Sequence, residues 1–518
     1  MEKYILILIF SAFSFMALAQ YQNVMISNVN NPEEPSISMD FANPDHLVAG
    51  ANANKYFVSE DGGLSWSYDT IWSPSYGEAG DPCIIVDTAG DFYFLHLSSP
   101  PGGSWLDRIV CQKYDFENDN WNDGSFMGLN EPTDQDKEWA VVDSANNNIY
   151  VTWTQFDSYD SEDPDLHSNI MFSKSVDAGE TWLDAKQINQ VSGDCIDEDN
   201  TTEGAVPTIG PNGEIYVAWA GPEGIVFDKS IDQGETWLDE DIFVNSQPGG
   251  WDYMVPGIYR CNGLPITCCD ISGTENNGAI YINWTDQRNG EDDTDVWIAK
   301  SVDGGETWSD AVRVNDDPAG KQQFFSWMTI DQTNGDIYIV FYDRRNHDDV
   351  GTDFYLAKSS DGGISFENIL ISESSFYPDA TAFFGDYTNV VAHNGIVRPI
   401  WARADGKVMS VYTAIIDTIV GVEDNIPSSS IAMFQNYPNP FKQSTIINFK
   451  LKKDEIISLG VVDLYGRKIC TIINSEPYNF GKYQVAFKPG DYKIKSGVYY
   501  FVLSSGHGRI SKKMILVD

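Results

Sequence analysis

Positive charge is scarce in this sequence. Its 518 residues include 32 Lys and Arg against 77 Asp and Glu, a net charge of −45. So acidic a surface repels phosphates, which excludes nucleic acid as a partner. Histidine is scarce too, at six residues, so a His-rich metal centre lacks material. No C-x-x-C pair occurs, which excludes a zinc knuckle or a thioredoxin-type site. There is no G-x-S-x-G, no P-loop pattern and no H-E-x-x-H, so serine-hydrolase, nucleotide and zincin readings get no support. After the first 20 residues no apolar run is long enough to span a bilayer, so no transmembrane segment is expected once that leader is gone. Turn formers, by contrast, abound, with 43 Gly and 23 Pro. With 42% hydrophobic and 13% aromatic residues the chain can build real cores. The composition fits an all-β chain of about two to four domains.

The two ends differ from the middle. Lys3, an apolar run from Tyr4 to Phe15 and the small-residue site Ala17-Leu18-Ala19 read as a secretory signal peptide, residues 1–19. At the other end, 13 basic against 6 acidic residues make 431–518 a +7 segment. The leader is neutral, so residues 20–430 carry −52. A swing of that size marks a domain boundary, and residues 417–430, ending Pro-Ser-Ser-Ser, form the linker. Seven cysteines suit an oxidising compartment. Cys195 could bridge to Cys261, Cys268 or Cys269, with the pairing open.

The tail carries YPNPF at Tyr437–Phe441, VVDLYGRK at Val461–Lys468, SGVYYF at Ser496–Phe501 and KKMILV at Lys512–Val517. In that order these segments resemble the type A C-terminal sorting domain of type IX secretion cargo. Alternation of Ile447, Phe449 and Leu451 with Ile446, Asn448 and Lys450 reads as a strand of a small Ig-like β-sandwich. The resemblance implies an address read by the type IX machinery, and release or attachment at the outer-membrane surface.

The middle is repetitive. Five segments match S-x-D-x-G-x-[ST]-[WF], built on Asp61, Gly63 and Trp66; Asp177, Gly179 and Trp182; Asp232, Gly234 and Trp237; Asp303, Gly305 and Trp308; and Asp361, Gly363 and Phe366. A degenerate copy runs from Asp115 to Trp121. The Asp side chain caps a turn's own amides, the Gly takes a backbone conformation closed to other residues, and the aromatic covers the hairpin's apolar side. These are Asp-boxes, or BNR repeats, and residues 20–416 resemble sialidase-like β-propellers. Each box sits in a unit of four short strands, and the count gives seven blades, with six, as in sialidase relatives, the alternative. The last unit lacks a fourth strand, which Asn23–Asn28 would supply.

Boxes lie on one face, so a site is sought at the mouth on the other. Arg288 and Arg345 occupy equivalent loops, and Arg403 stands at the same place in the last unit. Three guanidinium forks converging there would grip an acidic sugar. The alternative is that each pairs with its own loop's Asp. The Asp pairs of these loops, Asp292-Asp293 and Asp348-Asp349, make calcium the one cofactor the sequence admits; no other metal or cofactor is expected. Carboxylates recur at the starts of first strands: Glu33, Glu34, Asp81, Asp136, Glu138, Glu203 and Asp386-Tyr387. The sialidase resemblance implies Tyr387 as nucleophile, Glu203 as its base and Asp81 as acid. Trp251 and Tyr253, in the long connection Ser246–Leu264, are candidates for stacking on a sugar. One departure is clear: sialidases carry Arg-Ile-Pro on the first inner strand, whereas this chain reads EEPSIS at Glu33–Ser38. The expected partner is an extracellular glycan or glycoprotein. Binding without the standard sialidase site is the first reading, and a sialidase-like hydrolase or lyase the alternative.

Overall fold

The computed structural model describes residues 21–115, 120–417 and, within 431–517, all but 434, 435, 437, 438, 440, 452, 463–466, 493, 506 and 507. The expected signal peptide and linker, the middle of the degenerate box and parts of the YPNPF and VVDLYGRK motifs lie outside the described residues. The chain divides into two compact units, Met1–Thr418 and Ile419–Asp518. Among the described residues both are built of strands, with one 3-10 turn at Pro489–Tyr492. No helix there is long and apolar enough to cross a membrane.

Among the described residues the first unit contains seven antiparallel sheets of four or five strands, taken here as sheets one to seven in chain order. Their first strands are Glu33–Met39, Cys83–Val86, Asp134–Val142, Glu203–Ile209, Ile266–Cys269, Gln323–Asp331 and Asn389–His393. Each lies against the next, and the last against the first, so the ring closes as a β-propeller. The seam is in sheet seven, where Gln22–Ser27 pairs with Val408–Asp417 in the register Gln22↔Ile415. This is the strand that the sequence lacked at the end of the last unit. The second strands form the core, with Trp153, Trp219, Trp284 and Trp401 fully buried in sheets three, four, five and seven.

Five boxes repeat one geometry. In the box of sheet five, Ser301 Oγ accepts from Gly305 N at 2.9 Å and donates to Asp303 at 2.8 Å. Asp303 in turn accepts from Thr307 N at 3.0 Å and Thr307 Oγ1 at 2.6 Å. In two boxes the aromatic also reaches the preceding sheet. Trp308 packs edge-on against Phe227 of sheet four at 5.2 Å, and Trp237 against Phe172 of sheet three at 5.0 Å. The preceding sheet answers with a cation: Lys174, Lys229, Lys300 and Arg398 donate to the carbonyls of Gln233, Gly304, Gly362 and Gly62 in the next box, at 2.7, 2.8, 3.2 and 2.6 Å. The box is therefore a fastening between sheets as well as a turn.

All seven cysteines are free thiols, so the expected bridge from Cys195 does not form. The second unit holds a three-stranded and a four-stranded sheet. Ile447, Phe449 and Leu451 are buried there with Ile457, Leu459 and Phe501, as the alternation predicts for a small sandwich.

Close approach at the fastening gives a stability prediction. A Cβ on Gly305 would meet the Phe227 ring at 2.3 Å, and φ is +87°. Gly320 also has positive φ, at +96°, but faces open space. Gly305→Ala is expected to destabilise the protein by about 2 kcal/mol more than Gly320→Ala, read from denaturant midpoints.

Candidate functional site

The ring brings the starts of its first strands to one end of the axis, opposite the boxes. The backbone there shares a device. The register slips between Glu33 and Ser36, Asp136 and Trp139, Glu203 and Val206, and Phe324 and Trp327. A left-handed residue stands in each slip: Glu34 (φ 49°), Lys137 (φ 52°), Gly204 (φ 77°) and Phe325 (φ 49°). Asp81 (φ 53°) takes the same conformation just ahead of the first strand of sheet two. Such bulges re-aim side chains, here toward the axis. Four of these residues are not Gly and hold an unfavourable backbone conformation, a form of strain that gathers at functional sites.

Lys137 is the hub. Its ammonium lies 2.7 Å from Asp386, 3.3 Å from Asp81 and 3.8 Å from Glu34. Burial works to lower its pKa, yet Asp386, Asp81, Glu34 and Asp136 together hold it well above the usual lysine value. Burial likewise works against ionised Asp386, but Lys137 and Arg260 overcome it and keep this carboxyl below its ordinary range. Arg260 reaches Asp386 through both Nε and Nη2 and lies 3.6 Å from Asp197. The remaining acids are shifted the other way. Burial, then the charge of Asp81, pushes Glu34, Asp136 and Glu138 well above the carboxylate range. Burial, then Asp197, does the same to Glu203.

Two adjoining recesses of about 20 Å³ each open here and share Lys137, Asn262, Leu264 and Asp386. One is walled by Trp139, Trp327 and Tyr387, with ring centres 4.3 Å apart for the two tryptophans and 5.0 Å for Trp139 and Tyr387. The other is lined by Glu203, Asp197, Trp251 and Arg260. Several polar atoms are buried without a hydrogen-bond partner: the Tyr387 hydroxyl, both oxygens of Glu138, Oε2 of Glu203 and Oε1 of Glu34, which has only the Lys137 ammonium at 3.8 Å.

The candidates named from sequence fare unevenly. Tyr387 and Asp81 come together, with Glu34, Glu138 and Asp386 as further acidic neighbours of the phenol. Glu203 lines the other recess, among Asp197, Asp136 and Lys137. Trp251 lines that recess too, but its Nε1 donates to Thr201 O at 3.2 Å. Tyr253 is buried, its hydroxyl on Thr285. The structure corrects the expected convergence of arginines. Arg288 pairs with Asp286 at 2.5 Å, Arg345 with Asp343 at 2.7 Å and Arg403 with Asp405 at 2.9 Å, and none lines either recess. The loop carboxylates are also used locally: Asp293 accepts from Gly320 N at 2.6 Å and Asp349 from Gly351 N at 2.9 Å. Among the described residues no group of three or more His, Cys, Asp or Glu is placed to hold a metal ion.

Lys137, Trp139 and Trp327 were missed in the sequence. Trp139 and Trp327 each stand two residues after the left-handed position of their strand, as Ser36, Cys83 and Val206 do. Aligning the first strands on that position would have found them.

Residues 435–517 match the secretion system C-terminal sorting domain. The chain thus carries a type IX sorting tail, which sends it to the outside of the cell, released or held at the surface. No curated protein matches the sequence. Among solved structures, a Hadza microbial sialidase is similar at 15% identity, over 72% of this chain and 75% of its own, with a TM-score of 0.42. An ulvan lyase of a polysaccharide lyase family is similar at 12% identity, over 76% of this chain and 96% of its own, with a TM-score of 0.46. Penicillium chrysogenum α-L-arabinanase is similar at 12% identity, over 77% and 98%, with a TM-score of 0.42.

The buried acids set the pH dependence of stability. Burial raises Glu33 to about 7 and Glu78 to about 8, from 4.5. The folded state then binds more protons than the unfolded chain between those limits, so stability falls as pH rises from about 4.5 to 8. The box aspartates act in the opposite sense. Hydrogen bonds within their turns lower Asp232, Asp303 and Asp361 to about 2 from 3.8, and that support is lost as pH falls through this range. The melting temperature is expected to peak near pH 4–5, and Glu78→Gln to flatten the descent toward pH 8, measured by calorimetry across pH.

Proposed function

We propose that this exported propeller binds extracellular glycan at its mouth, with a sugar ring stacked on Trp139, Trp327 and Tyr387. The observation that carries the reading is the aromatic wall standing beside buried carboxyl oxygens that have no hydrogen-bond donor, both of Glu138 and Oε2 of Glu203. Aromatic faces take the apolar face of a sugar, and hydroxyls donate to carboxyl oxygens. Water in a recess of about 20 Å³ is readily displaced by a group that reproduces its hydrogen bonds.

Catalysis is the second reading, and one arrangement favours it. The Tyr387 phenol stands among Glu34 and Glu138, whose pKa values burial raises, and Asp386, whose pKa Lys137 and Arg260 lower against its burial, so acids shifted in opposite directions surround one hydroxyl. Paired acids pushed apart in pKa are the raw material of general acid–base chemistry.

The test uses the full secreted protein on a glycan array and on a panel of 4-methylumbelliferyl glycosides. Trp139→Ala is expected to weaken the best array ligand by about thirtyfold, the loss of one aromatic anchor of roughly 2 kcal/mol. Tyr387→Phe separates the readings: under binding alone the affinity holds within a few fold, whereas under catalysis turnover of a glycoside disappears. No array ligand and no turnover from folded protein would sink both.

A further inference from the structure

The mouth has a surplus of acceptors. Glu203, which lines the second recess, is 1% exposed and its Oε2 has no hydrogen-bond donor; both oxygens of Glu138, also 1% exposed and a neighbour of Tyr387, have none either. A sugar hydroxyl brings one donor together with lone pairs of its own, whereas an ammonium brings three donors and no acceptor. The site already seats cations of the chain itself. Lys137 is internal, its side chain 8% exposed, and its ammonium stands 5.8 Å over the Tyr387 ring. Arg260 is different. It arrives from the surface on the connection 246–264, its side chain is 39% exposed, and its guanidinium lies 5.2 Å from the Phe383 ring. Its fork sits on Asp386 where a guest would have to pass. With Arg260 in its wall, the second recess has room for about one water. A guest that brings its own positive charge could take over the Asp386 contact as Arg260 leaves.

From these contacts we infer that the sugar taken at the mouth is cationic, a hexosamine unit bearing a free ammonium, and that Arg260 occupies the place of that ammonium when the site is empty. The inference rests on the glycan-binding reading above. Two features agree with it. An anionic sugar would meet carboxyl groups with no free guanidinium to hold it, because Arg288, Arg345 and Arg403 are tied to their own loops. The field of a segment carrying −52 also draws cations toward the mouth and repels acidic polymers.

The test is titration calorimetry of the full secreted protein at physiological salt with three probes: a fully deacetylated β-1,4-glucosamine tetramer, its N-acetylated counterpart and tetralysine. The deacetylated sugar is expected to bind at least tenfold more tightly than either of the others. Glu203→Gln should weaken it at least tenfold, and Arg260→Ala should tighten it several fold by removing the internal competitor. A variant that had merely unfolded could not bind more tightly, so the arginine variant separates competition from structural damage. Equal binding of the two sugars would overturn the inference and leave the glycan reading standing. Equal binding of tetralysine would overturn it in favour of a site for basic peptide. Weaker binding by Arg260→Ala would overturn the role given to Arg260. Failure of both sugars here, together with failure of every glycan on the array, would remove the underlying reading as well.

Discussion

Neighbouring sheets in a propeller share no hydrogen-bonded ladder, so side chains must hold them to one another. In this molecule the Asp-box does so. A Gly without Cβ lets one sheet's turn approach a Phe of the sheet before it, as Gly305 does with Phe227. A Trp packs across the same gap, and a Lys or Arg of the earlier sheet caps the turn's carbonyl. Repeated around the ring, this fastening sets the sheets radially and leaves their first strands facing a common axis. The site exists because seven strand starts have nowhere else to point.

What converges on that axis is poor material for stability. Buried carboxyl groups without donors cost free energy, and so do left-handed conformations at Glu34, Asp81, Lys137 and Phe325. Core needs alone would have selected apolar residues in ordinary conformations, as they did at Trp153 and Trp219 in the second strands. The concentration of both costs at one end of the axis marks it as the part of the molecule shaped by something other than folding. Lys137 makes the arrangement tolerable, since a single ammonium answers Asp386, Asp81 and Glu34 at once.

The repeat made most of the architecture readable in the sequence. Box residues fixed the third and fourth strands, the alternating cores fixed the second, and the missing last strand pointed to residues near position 23. The acidic starts of the first strands were readable too, from Glu33 to Tyr387. Lys137 was not, because a lysine between Asp136 and Glu138 looks like a solvated charge until the ring folds it inward. The arginines misled in the opposite way. Arg288 and Arg345 follow Asp286 and Asp343 by two residues, and Arg403 precedes Asp405 by two, a local spacing that already contained their partners. Which sheet a box aromatic would touch was not legible, because contacts between repeats leave no periodic trace within one repeat.

The seam in sheet seven has a kinetic meaning. Gln22–Ser27 is among the first segments of the propeller to be synthesised, and Val408–Asp417, its partner, is the last. At ordinary elongation rates of about 5–20 residues per second, the early strand waits roughly 20 to 80 s for the strand it must pair with. Asn23 also waits for Ile371 and Glu373, whose backbone it bonds at 2.8 Å each. During that interval the chain holds an unpaired β-segment at one end and a growing open arc at the other. Two copies in this state can exchange first strands, each completing the other's ring, with the same hydrogen bonds as the closed monomer. Local concentration and timing, rather than the contacts themselves, therefore decide whether the propeller closes on itself.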